Sequence, residues 1–201
     1  MYTLKITGRD AFLDDVLARY QNREKFLKYC MACKKYNTCW SCPPLNFDID
    51  EYLHAYKYIY FWGIQIFYAK DIIANVTEKG KIWGISMRTT ETVKKQVNDI
   101  LLSVEKKIPD TLSLSSGGCS FCRKCSRINN EVCCKPEKMR YSLDAFGIDL
   151  GGLSEDFLRI KLLWSKDRRP QYHTLIHALL GKDKISEQAM QTVFNELQAL
   201  S

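Results

Sequence analysis

Nine cysteines in 201 residues, all confined to two short stretches, constrain this chain more than any other feature. The first stretch reads Cys30-Met-Ala-Cys33-Lys-Lys-Tyr36-Asn-Thr-Cys39-Trp40-Ser-Cys42-Pro43-Pro44. The second reads Gly117-Gly118-Cys119-Ser-Phe-Cys122-Arg-Lys-Cys125, followed by Cys133-Cys134-Lys-Pro136. An odd count fits a disulfide framework badly. The segment 1–10 carries no apolar run of a secretory leader, and nothing approaches the ~18 consecutive apolar residues of a membrane span. A cytoplasmic, reducing setting is therefore expected, and clustered cysteines there read as metal ligands or catalytic groups rather than disulfides.

The spacing indicates the kind of metal. Three cysteines at two-residue intervals, Cys119, Cys122 and Cys125, wrap one compact loop, and a more distant cysteine before a proline completes the set, much as in a ferredoxin-type four-iron site. Cys133 and Cys134 compete for that fourth place, because adjacent side chains diverge. Gly117 and Gly118 allow close backbone approach. In the first stretch two Cys-x2-Cys pairs, Cys30/Cys33 and Cys39/Cys42, are only five residues apart. That is tight for a zinc ribbon and better suited to a cubane, with Tyr36 and Trp40 as a shield. Two four-iron, four-sulfide clusters are expected, with Cys39 taken as the fourth ligand of the first from its Cys-x2-Cys spacing to Cys42; zinc is the alternative at both sites.

These motifs resemble those of the predicted metal-binding proteins catalogued as domain of unknown function 2284. The shared features are Cys-x2-Cys leading through Tyr36 into Cys42-Pro-Pro, and Gly-Gly-Cys-x2-Cys-x2-Cys leading through Cys133 and Pro136-Glu137 to Ser142, Ala145 and Gly147-Ile148-Asp149. The resemblance runs from Cys30 to about residue 180. It implies metal binding through Cys30, Cys33 and Cys42 at one site and Cys119, Cys122, Cys125 and Cys133 at the other. It does not carry over Cys39, whose place in relatives is held by a small polar residue. It implies no particular reaction.

The rest of the chain reads as an α+β fold, a mixed α/β layer arrangement in one domain (1–201) with cysteine-rich loops at 30–44 and 117–136. Helices are expected over 10–28 with Asp10 as N-cap, after Asp48, from Thr89 or Thr90 to Pro109, from Pro136 to Gly147, over 154–164 and after Ser186. Strands are expected over 57–69, 81–87, 111–115 and 172–180. The aromatic run from Tyr52 to Tyr68 reads as core. His54 reads as surface, and His173 and His177 as strand residues rather than ligands.

The formal charge is +7; two four-thiolate centres at about −2 each would reduce it to about +3. Basic balance is thus weak support for a nucleic-acid partner. Arg123, Lys124, Arg127, Lys135, Lys138 and Arg140 surround the second cysteine group and offer a dock for an acidic redox partner. The leading expectation is electron transfer or a redox accessory role. One alternative is a redox or lyase-type enzyme with an open cluster iron. The other is a zinc protein contacting nucleic acid. No Ser-His-Asp set, phosphate loop or dinucleotide fingerprint is present, and no catalytic residue is assigned.

Overall fold

A computed structural model describes residues 2–69, 79–163 and 171–201. Among these, four strands form one antiparallel sheet in the order β1-β2-β4-β3, built from β1 (Tyr2–Phe12), β2 (Tyr58–Tyr68), β3 (Thr111–Leu114) and β4 (Tyr172–Gly181). The fold is α+β, as the alternation of the two periodicities requires.

Side chains alternate across β2 and β4, so each strand feeds two cores. Tyr60, Trp62, Ile64 and Ile66 with Leu175 and Leu179 face α4 (Lys79–Lys107) and the C-terminal α6 (Glu187–Gln198), meeting Val93, Val97, Leu101, Val193 and Leu197. Ile59 and Phe61 with Ile176, Ala178 and Leu180 face the opposite side. There the cover is α1 (Leu13–Tyr20), a 3-10 turn at Leu143–Phe146, and α5 (Leu150–Leu153) with its π-helical extension Ser154–Leu158. α2 (Arg23–Met31) and α3 (Ile49–His54) flank that second layer, and α2 buries no residue of its own. No helix among the described residues is long and apolar enough to cross a membrane.

Several expected elements differ. Asp10 does not cap a helix; it pairs with Tyr60 inside β1, whose Leu4–Ile6 alternation is a genuine strand signal. The helix expected over 10–28 is two helices. Between them Asn22 N–H donates to Gly147 O (2.8 Å) and Asp149 N–H to Tyr20 O (2.8 Å), and the Asn22 side chain caps α2 through Lys25 N. Residues 81–87 are helical, not extended. The inner face of α4 continues backwards from Val93 through the half-buried Thr90 to the buried Ser86, so helical spacing is kept by small polar residues that hydrophobic periodicity overlooks.

Pro136 starts only a turn, and helix reappears at Leu143–Phe146, ended by Gly147 at φ +79°. A Cβ at Gly147 would lie 2.7 Å from Arg23 Cα, so close approach as well as dihedral fixes the glycine. The helix expected over 154–164 stops at Leu158, with Arg159 left-handed (φ +57°). Its end at residue 164 lies outside the described residues.

Candidate metal centre

The two cysteine loops are bound to each other. Arg127, at the start of a 3-10 turn in the second loop, donates to three carbonyls of the first: Cys39 O (3.0 Å), Cys42 O (2.6 Å) and Pro44 O (2.7 Å). Its guanidinium also lies over the Trp40 ring at 5.1 Å, and Trp40 Nε1 donates to Glu131 O (3.0 Å). Ser41 is fully buried; its Oγ accepts from Cys119 N (2.7 Å) and lies 3.3 Å from Cys39 Sγ. The Pro43–Pro44 bond is cis.

This fastening separates the nine thiols unevenly. Cys30, Cys33 and Cys42 line a pocket of about 760 Å³ together with Tyr36, Gly117, Gly118 and Asp144. Cys119, Cys122, Cys125, Cys133 and Cys134 line a small cavity of about 20 Å³, and Cys39 is there with them, beside Trp40. Sequence spacing groups Cys39 with its own loop; the structure sets its thiol between the two groups, hydrogen-bonded to Cys42 of its own loop and 3.7 Å from Cys119 O of the other. Both Cys133 and Cys134 face the cavity, and Cys134 Sγ approaches Cys122 Sγ to 3.1 Å. Adjacent side chains can thus share one small space when the chain around them is not a regular strand. Among the described residues no three His, Cys, Asp or Glu side chains close on one point tightly enough to hold a single metal ion; the donors line volumes.

The electrostatics keep most thiols protonated in the metal-free chain. Burial pushes Cys30, Cys119 and Cys133 up, and contact with Cys134 raises Cys122 to about 11. Cys39 is the exception: a hydrogen bond with Cys42, reinforced by Ser41, draws it down and pushes Cys42 up. Loading with metal must therefore release protons. Positive charge stands ready beneath the second loop, where Lys35 Nζ (3.2 Å) and the nearly buried Lys94 Nζ (3.1 Å) both donate to Gly118 O. Lys94 is paired with Glu91 at 2.9 Å.

The donor set fits a soft metal, since thiolates select zinc or iron–sulfur clusters over magnesium or calcium. Gly118 is shaped for the approach: a Cβ there would stand 2.8 Å from Cys42 Sγ. Of the six basic residues that sequence places around the second group, three are engaged within the chain. Arg127 clamps the first loop, Lys135 Nζ donates to Phe121 O, and Arg140 forms a largely buried pair with Glu105 (2.5 Å). Arg123, Lys124 and Lys138 are exposed. His54 is exposed, 4.0 Å from Asp14. His173 packs edge-on against Tyr68, and His177 is fully buried in β4, held neutral by burial at about 3.

Sequence reading gave Arg127 no more than a charge, and gave Ser41 and Asp144 no role. Serine and arginine patterns carry no signal for a clamp between segments 85 residues apart. The family described as predicted metal-binding protein (DUF2284) matches residues 17–180, most of the chain and both cysteine groups. No curated protein and no solved structure matches it.

Proposed function

The chain belongs to this family of predicted metal-binding proteins, and from that premise we propose that it holds two iron–sulfur centres of unequal kind, in a redox enzyme rather than a plain electron carrier. The second centre is held by Cys119, Cys122, Cys125 and Cys133, with Cys39 and Cys134 beside them, and is closed. The first has only Cys30, Cys33 and Cys42 as thiolates and faces the pocket where a substrate is received. The observation that carries this reading is the pocket of about 760 Å³, which Cys30, Cys33 and Cys42 line and Cys39 does not.

An iron–sulfur cluster supplies one-electron chemistry and, at an iron without a thiolate, a Lewis-acid position. The chain's own part is positional. Arg127 and Ser41 hold the loops in contact and would keep groups bound in the two loops close to one another. Tyr36 and the glycines of 117–118 shape the pocket mouth. Arg123, Lys124 and Lys138 offer the docking charge for an acidic reductant, in a cytoplasmic setting. Anaerobic isolation followed by iron, zinc and acid-labile sulfide assay tests the reading. The expected result is a brown protein with roughly eight iron and eight sulfide; a colourless protein with stoichiometric zinc contradicts it.

A further inference from the structure

We propose that Asp144 is the fourth protein donor of the first centre, so that Cys30, Cys33, Cys42 and one carboxylate oxygen complete it. The inference rests on reading those three thiols as metal ligands. Asp144 lies in the 3-10 turn Leu143–Phe146, directly after Ser142, whose backbone bridges to Ser115 at the end of β3. The turn is well fixed, because Leu143 and Phe146 on either side are buried in the second core. Asp144 lines the pocket beside Cys30 and Cys42, and its charge makes both of those thiols harder to ionise.

Its Oδ1 is buried and has no hydrogen-bond partner. Leaving a buried polar atom unpaired costs about 1–3 kcal/mol, and more for a charged group. Several other carboxylates are provided for: Glu105 takes Arg140, Asp48 and Asp149 cap helices, and Asp156 accepts from Tyr20 OH. Of the cations that share a pocket with Asp144, Lys35 donates to Gly118 O and Arg23 to Asp50 through its terminal nitrogen, while Arg23 Nε is itself buried without a partner. An unpaired carboxylate oxygen on a residue that lines the same pocket as three thiols is what a metal would satisfy. Oxygen is the harder donor and the weaker match for this metal, so such a centre stays more open to exchange than one with a fourth thiolate.

The test uses the full chain isolated anaerobically, as wild type, Asp144→Asn, Asp144→Cys and Cys30→Ser, with iron counted and its loss to a chelator followed by visible absorbance. Asp144→Asn is expected to lose the iron of one centre at least about tenfold faster than wild type. Asp144→Cys is expected to hold it at least as long. The sign is decisive, because a carboxylate that is only a neighbouring charge opposes the thiolates, and its removal would slow the loss. Slower or unchanged loss in Asp144→Asn overturns the proposal. Should the amide prevent folding, Asp144→Cys decides alone: iron held as in wild type supports it, and faster loss overturns it. An unchanged iron count in Cys30→Ser would instead overturn the reading of the first centre itself.

Discussion

The two cysteine regions share a residue type and a Cys-x2-Cys spacing, yet they end in opposite surroundings. The loop 117–136 closes five thiols on a cavity of about 20 Å³ and borrows a sixth, Cys39, from its neighbour. The loop 30–44 leaves Cys30, Cys33 and Cys42 on the wall of a pocket of about 760 Å³. Spacing along the chain fixes how far a thiol reaches; its direction depends on what clamps the loop from outside. Here Arg127 takes the carbonyls of Cys39, Cys42 and Pro44, while Ser41 receives Cys119 N–H. A small cavity and a large pocket arise from the same local motif because one loop is fastened onto the other.

The comparison breaks most visibly at the thiols. Cys125→Ser should remove roughly four of eight iron and leave the first centre intact, and Cys33→Ser should do the reverse. Metal and sulfide analysis checks this; loss of all iron in either variant would mean a single shared site. The next effect concerns the Glu105–Arg140 pair, which anchors the segment leading from the second group to the Asp144 turn. Arg140→Leu should destabilise the metal-free chain by about 3 kcal/mol in a denaturant titration, since it strands a buried carboxylate.

The same pair has a pH signature. Burial alone would raise the Glu105 carboxyl, but hydrogen bonds from Arg140 and Ser113 outweigh it and hold the group below its usual value. A depressed carboxyl contributes stability above its unfolded value near ~4.3 and loses it as pH falls through the folded value. Glu105→Gln should therefore flatten the acid limb of the stability curve below about pH 4, measured by unfolding at several pH values.

Smaller effects sharpen the comparison at the clamp. Arg127→Gln should cost about 2 kcal/mol in chemical denaturation, and Arg127→Lys should recover little, because a point charge does not span three carbonyls. Ser41→Ala should cost about 1 kcal/mol and loosen the hold on Cys119; amide hydrogen exchange at Cys119 should quicken.

Much of this was legible in the sequence. The β2 run of Ile59 to Ile66 and the α4 face of Val93, Val97, Leu101 and Val104 carry their periods openly, and they form the core as expected. The errors fell where tertiary contact outweighs local preference. Ile85 belongs to a helix because Ser86 and Thr90 hold the buried face, and the expected helix over 10–28 breaks where 146–149 captures the backbone of Tyr20 and Asn22. At the site, cysteine spacing marked out two loops, which the structure brings into contact. It could not give the placement of Cys39 between the two groups, where its carbonyl is held by an arginine 88 residues further along the chain. Nor could it mark Asp144, an ordinary helix-turn acid until the fold brings it to Cys30 and Cys42.

The most direct test of an open first centre beside a closed second one is electron paramagnetic resonance of the reduced protein, with and without cyanide, in wild type and Cys39→Ser. The account predicts two signals in the wild type, one shifted by cyanide and one indifferent, with the cyanide-sensitive signal surviving in Cys39→Ser. Two indifferent signals in the wild type, together with loss of the first centre's iron in Cys39→Ser, would contradict it.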